Sequence, residues 1–329
     1  MTETIKDKAK TVIIWAVVLS LLFMTFIGCK DRDNIFTIGI ASRASSHAAV
    51  LEGFKEGMAE LGYVEGKNVK YIYYSGAIEN YDQIIDAEIK KLLTQNIAML
   101  LTAYNETALS AKKAVEGTDI PIVAAACARP VEIGLVKSLS RPGGNVTGVQ
   151  VADTMSKGLE WLEQIIPHAK KIYLPYNPDD MISILYLDVL NKTASRLGIE
   201  LVLHKVHSVE EAVAAIESLP KDIDAVYGIP SQTLGTKSSE LSQAAIKRCL
   251  PMGSGLPLDE SVLITFGSDL FEIGKQTARL AHQIHQGARP GDLPVETSDI
   301  FLSINLKTAE KIGLHIPDDV LAQAKTIIR

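Results

Sequence analysis

IFTIGIAS (residues 35–42), followed at once by HAAVLEGFKEGMAELG (47–62), decides the fold. The first stretch is short and rich in β-branched residues, which reads as a strand. The second has the length and patterning of a helix, and Gly62 closes it. A strand feeding a helix is one unit of an α/β fold, so the question is whether the unit repeats.

It does. NVKYIYYS (68–75) reads as a strand, 81–95 as a helix and IAMLLTAY (97–104) as a buried strand. A helix over about 106–116 leads to the strand IPIVAAAC (120–127), then to the helix EIGLVKSL (132–139) and the strand VTGVQV (146–151). These five strands with intervening helices predict a parallel α/β layer sandwich. The same grammar then restarts. Helices are expected over 155–166, 180–197, 209–218, 237–248 and 270–287, and strands over 170–177, 199–206, 225–231 and 261–268. The fold class is therefore α/β, with two consecutive doubly wound lobes. No Ser/Gly-rich or Pro-rich linker separates them, so the chain is expected to cross in tight strand-like segments near 150–154.

The N-terminus reads as a processing segment. Lys6, Lys8 and Lys10 give a basic start, no charge appears from Thr11 to Ile27, and FIGCK (26–30) follows. That is the layout of a secretory signal peptide, here residues 1–28. A thiol just after a small residue can be acylated, so Cys29 resembles the lipidated cysteine of a bacterial lipoprotein and 29–34 becomes a tether. The alternative is an uncut signal anchor, since about 17 apolar residues is at the short end of a membrane span. Either way the mature chain is placed outside the cytoplasm, held at the cell membrane.

The other two thiols, Cys127 and Cys249, are too few for a disulfide scaffold and have no metal-ligand spacing. A net charge of −6 with dispersed basic residues argues against a nucleic-acid partner.

In open α/β sheets ligands sit outside the carboxyl ends of the strands, where helix N-termini present free N–H groups. Two lobes with those ends facing each other would form a cleft about a hinge. The residues just after the strands are thus the candidate ligand contacts: Arg43, Ser45 and Ser46, then Tyr104, Asn105 and Thr107, then Arg129, and on the second lobe Tyr176, Ser231 and Gln232, with Asp269 at the last strand end. Helix capping accounts equally well for the small polar ones, and for Asp269.

Catalytic signatures fail one by one. GYVEGKN has one residue too few between its glycines for a phosphate-binding loop and follows a helix, and GSGLPL (253–258) lacks the third glycine of a dinucleotide site. No nucleophile elbow or paired-histidine zinc motif occurs. His282 and His285 share a helix face without a nearby acidic third ligand. Neither an enzyme of known mechanism nor a cofactor is implied.

Several phrases are more specific: GFKEGMAELGYVEGKNV (53–69), IPIV (120–123), GLVKSLSRPGGNVTGV (134–149), YNP (176–178), LFEIGKQTARLA (270–281), RPGDLPVET (289–297) and INLKTAEKIGLHIP (304–317). Through them, nearly all the mature chain resembles the ABC-transporter substrate-binding lipoproteins whose better-known members bind tryptophan and other aromatic amino acids. The resemblance implies a type I periplasmic-binding-protein-like fold, with one lobe of 35–150 plus about 268–292 and the other of 151–267 plus about 293–329. It implies a monomeric, lipid-anchored receptor that closes on a small molecule, performs no chemistry and delivers its ligand to an ABC permease. A sensor subunit regulating a membrane partner would use the same closure. Asp269 matches the family's acidic helix start. Arg129, in CARPV, stands where the family often has an acid, and Arg43 with Ala44-Ser45 replaces a frequent His-Pro. With a second cation in reach, the ligand expected is an amino acid or related small carboxylate, with an extra acidic or polar group. Alternatively, Arg129 is a solvated surface arginine.

Overall fold

The computed structural model describes residues 35–41, 48–73, 81–235, 237–255 and 261–329. The signal peptide, Cys29 and its tether, and Arg43, Ser45 and Ser46, lie outside the described residues.

The first lobe is built on β1 (Phe36–Ala41), β2 (Val69–Tyr73), β3 (Met99–Ala103), β4 (Ile122–Cys127) and β5 (Val146–Gln150), with helices α1 (Ala48–Glu60), α2 (Tyr81–Leu93) and α3 (Tyr104–Ala114). Its sheet runs β11-β5-β4-β3-β1-β2, all parallel, where β11 is Glu296–Thr297. Every residue of β3 and β4 is buried, as expected of strands covered on both faces, and this is why MLLTA and IVAAAC read as continuous apolar runs.

The second lobe contains α4 (Met155–Ile165), β6 (Lys171–Tyr176), α5 (Met181–Leu197), β7 (Glu200–Lys205), α6 (Val209–Glu217), β8 (Ala225–Gly228), the short α7 (Gln232–Gly235), α8 (Ser238–Lys247), β9 (Met252–Ser254) and β10 (Ile264–Ser268). Helix α9 (Leu270–His285) returns to the first lobe, and β12 (Ile300–Asn305), α10 (Leu306–Ile312), α11 (Asp318–Leu321) and β13 (Thr326–Ile328) close the second. The second sheet runs β13-β12-β10-β9-β8-β6-β7, parallel except for β12 against β10. Among the described residues no helix is long and apolar enough to cross a membrane.

The chain passes between the lobes after β5, between β10 and α9, and between β11 and β12. The crossings are bonded to each other. The Ala152 N–H reaches the hydroxyls of Ser268 and Ser298, each at 3.3 Å, and those two hydroxyls are 2.5 Å apart. Both serines are buried, so the cluster satisfies polar groups that the crossing segments would otherwise leave unpaired. One apolar cluster continues from Phe36 and Phe54 through Val151 and Met155 to Tyr186 and Leu190, so the core of one lobe runs into that of the other.

Three readings differ from what forms. The helix expected over 132–139 is a set of turns: the Pro130 carbonyl accepts from both Leu135 and Val136, and Gly134 takes a left-handed φ of 73° that ends any helical run. The strand expected over 261–268 is confined to β10, and a short strand that was not expected, β9, precedes it. The boundary expected at about 292 also moves, because Glu296 and Thr297 pair with Val149 and Gln150 in the first sheet.

Candidate functional site: the strand ends and the pocket at Asp269

The carboxyl ends of the first-lobe strands carry unusual backbone. Chain direction reverses from β3 into α3 with no loop, through Tyr104 at φ 68°. Strand β4 has a register shift between Ala125 and Cys127, with Ala126 at φ 55°, and Arg129 follows at φ 49°. For residues with a Cβ this region is disfavoured, and such strain persists only where the surroundings enforce it, commonly at ligand sites.

The polar side chains of this edge hold the backbone in place. Buried Asn105 accepts from the Ala128 N–H through Oδ1 at 2.8 Å, tying the start of α3 to the end of β4. The Thr107 hydroxyl donates to the carbonyls of Ala103 and, at 3.1 Å, Tyr104. Burial raises the Tyr104 phenol to about 12, so it stays protonated.

Arg129 belongs to both lobes. Its Nη2 donates to Asp153 Oδ2 at 2.6 Å, in the first crossing, and its guanidinium lies 4.9 Å from the ring centre of Tyr186 on α5. Burial is the largest single influence and works against the charge, but the hydrogen bond and charge of Asp153, with Tyr186 and Glu132 behind them, together outweigh it, so the guanidinium is held even more firmly protonated than usual. With the side chain only 18% exposed, the solvated-surface alternative fails. Its charge is matched within the protein, which removes the motive for an extra acidic group on the ligand. Nε is buried without a partner among the described residues.

On the second-lobe edge, Tyr176 is buried in the core and Asn177 carries the polar contacts. Asn177 Nδ2 donates to the Thr233 hydroxyl at 2.9 Å, and its Oδ1 accepts from the Asp179 N–H. Ser183 donates to the Pro230 carbonyl at 3.0 Å. Ser231 accepts from the Leu234 N–H at 3.2 Å, a capping contact on α7. Gln232 opens that turn, and its side chain lies outside the described residues. Asn177 fell within the strand end 176–178 without being named as a ligand contact, and Ser183 and Asp153 were not singled out in the sequence. The phrase YNP was the available signal for the first, since an Asx turn before a helix is a common use of Asn.

Asp269 caps α9: Oδ1 accepts from the Phe271 N–H at 2.9 Å and from the Glu272 N–H at 3.3 Å. It also lines a pocket of about 410 Å³ that has walls from both lobes, with Ala49 and Phe271 on one side and Thr265, Phe301 and Ser303 on the other. That volume is in the range of small-molecule sites. His282 and His285 are elsewhere, at the far end of α9: His282 bonds the Tyr63 hydroxyl at 2.9 Å and His285 stacks on Phe36 with ring centres 4.1 Å apart.

The family model described as ABC transporter substrate binding protein matches residues 38–328. The chain belongs to that family. This substrate-binding protein is 30% identical over 276 residues to the tyrosine-binding protein of Clostridioides difficile, an alignment covering 82% of this chain and 77% of that one. Among solved structures it is similar to a conserved domain protein from Vibrio cholerae, with a TM-score of 0.81 and 26% identity over 89% of this chain and 100% of the other. It also shares the fold of a Streptococcus pneumonia ABC domain in complex with L-Trp, at a TM-score of 0.80 and 23% identity over 90% and 100%. Members of this family bind ligands outside the cytoplasm on behalf of an ABC transporter and catalyse no reaction.

Proposed function

We propose that this protein is the lipid-anchored receptor of an ABC importer and that it closes its lobes, as a monomer, on an amino acid with an aromatic side chain. The observation that carries the reading is the pocket at Asp269, which draws its walls from both lobes beside the bonded crossings. A ligand there has more contacts in the closed form than in the open one, and only such a difference in affinity can drive closure. The permease then reads the closed form.

Asp269 is suited to the ligand ammonium, since one oxygen caps α9 and the other is outside the cap contacts. Phe271 and Phe301 supply an aromatic environment. Arg129 acts in this reading as a strut between lobes, through Asp153 and Tyr186, and Asn105, Thr107 and Ser231 hold the cleft edges in shape. The names of the tyrosine-binding relative and of the L-Trp complex support the aromatic class.

A thermal-shift screen of the protein lacking residues 1–28 against the amino acids tests this. Stabilisation follows RT ln(1 + [L]/Kd), about 2.7 kcal/mol at a hundredfold excess, which moves the melting point by several degrees. Silence from every aromatic amino acid at millimolar concentration would refute the ligand class. The anchor is tested separately. A Cys29→Ser variant should leave the membrane fraction, and if it stays as firmly bound as wild type an uncut signal segment holds the protein.

A further inference from the structure

Strand β10 presents an unusual face to the pocket. One face of β10 is covered, since Phe266 meets Trp161 of α4 with ring centres 6.1 Å apart. The other face, carrying Thr265, opens into the pocket.

On that face the register aligns three hydroxyls. Thr265 pairs with Ser303 and Ser303 with Thr326, giving a row across β10, β12 and β13. All three residues line the pocket, and among the described residues no side-chain hydrogen bond engages any of them. Phe301, two residues before Ser303, is on the same face, and the Lys325 ammonium lies 3.2 Å from its ring centre. Along its walls the pocket therefore offers a carboxylate at Asp269, two aromatic rings at Phe271 and Phe301, the Lys325 ammonium over the second of them, and the hydroxyl row.

We propose that the hydroxyl row of Thr265, Ser303 and Thr326 reads the ring hydroxyl of the ligand, so that the protein selects a phenolic amino acid over its plain phenyl counterpart. The proposal rests on the aromatic amino-acid reading above. With the ligand ammonium at Asp269, its ring lies by Phe271 and Phe301 and its para substituent reaches the row. A phenol exchanges hydrogen bonds with these groups, whereas a phenyl ring covers them and removes their water without replacing it.

Calorimetric titration with L-Tyr and L-Phe decides the matter, on wild type and on the double variant Thr265→Val/Ser303→Ala. Wild type should prefer L-Tyr by about tenfold or more, roughly one hydrogen bond's worth, and the double variant should bring the ratio to within about threefold. Thr326→Val, at an exposed edge position, provides a second variant if the first does not fold, and should lower the ratio in the same direction. A ratio near one in wild type, or one that neither variant changes, overturns the assignment while leaving aromatic binding in place. If wild type binds neither amino acid nor any other aromatic one, the ligand class and this inference fall together.

Discussion

Replacing Gly53 with Ala should destabilise the protein and loosen ligand binding at once. In an ordinary helix the change would stabilise by about 1 kcal/mol through helix propensity. Here α1 crosses α9 so closely that a Cβ on Gly53 would lie 1.9 Å from the Phe271 carbonyl oxygen and 2.7 Å from its carbon. The reciprocal contact is as tight, since a Cβ on Gly274 would lie 2.2 Å from the Val50 oxygen and 2.5 Å from the Phe54 nitrogen. These neighbours are backbone, so no rotamer change relieves the clash and the helices must separate by about 1 Å or more. Overpacking of this kind costs about 1–3 kcal/mol or above, and a displaced α9 carries Asp269 and Phe271 with it. The net expectation is a loss of about 2 kcal/mol, hence a melting point lower by several degrees, together with weaker binding. Gly57→Ala should do less, because its nearest neighbour is the Ala278 side chain at 2.8 Å. Thermal denaturation and calorimetry on the three proteins give the ranking. A Gly53→Ala variant at least as stable as wild type would mean that propensity wins and that the helices do not cross as closely as described.

Arg129→Ala should weaken ligand affinity about tenfold. The pair with a carboxylate that is 46% exposed is worth about 1 kcal/mol at most, and the contact with the Tyr186 ring adds about as much to the closed form. Arg129→Lys should recover only part of this, and unchanged affinity in Arg129→Ala would remove the strut. Removing both Ser268 and Ser298 hydroxyls strands the buried Ala152 N–H at a cost of about 1–3 kcal/mol, while each single Ala variant leaves it one partner. Urea unfolding should then show the double loss exceeding the sum of the singles, and simple additivity would mean the crossings are satisfied some other way. Ala126→Gly should be neutral or stabilise by up to about 1 kcal/mol, because it relieves a left-handed Cβ, whereas Ala124→Gly in the same strand should destabilise by a similar amount. Equal losses at the two positions would show that no strain is stored at Ala126. A thiol reagent should label exposed Cys249 in the native protein and leave Cys127 untouched until unfolding, since burial pushes the Cys127 thiol far up.

The alternation of strands and helices was legible because each unit answers to local rules. IVAAAC and MLLTA are apolar without interruption because both faces of those strands are covered. The 132–139 segment misled because its apolar residues, Leu135 and Val136, are buried by the fold of a loop around the Pro130 carbonyl, and burial without regular structure has no periodic signature. Strands β11 and β13 were not legible for a different reason. Glu296–Thr297 and Thr326–Ile328 are short edge strands that form only because β5 and β12 are there to pair with them. For Glu296–Thr297 the partner is 147 residues away, for Thr326–Ile328 it is 23, and in neither case does a stretch of two or three residues carry a pattern of its own.

The candidate site divides along the same line. Capping is a local matter, and the sequence raised it for Asp269 and Ser231, where the structure has it. Arg129 depends on distant residues. Read alone, an arginine after a strand looks like a free cation looking for an anion, and the ligand is the obvious candidate. Its carboxylate is instead Asp153, and its aromatic neighbour is Tyr186 from the other lobe. A charge at a lobe boundary can be answered by the ligand or by the opposing lobe, and the two lead to opposite expectations. Held by the ligand, the arginine would set which anion binds. Held by the other lobe, it sets how readily the cleft closes on any ligand, and so scales affinities together while leaving their ratios alone. The choice among ligands then falls to the pocket walls, where Asp269, Phe271, Phe301 and the half-buried hydroxyls of Thr265 and Ser303 vary in chemistry along one surface.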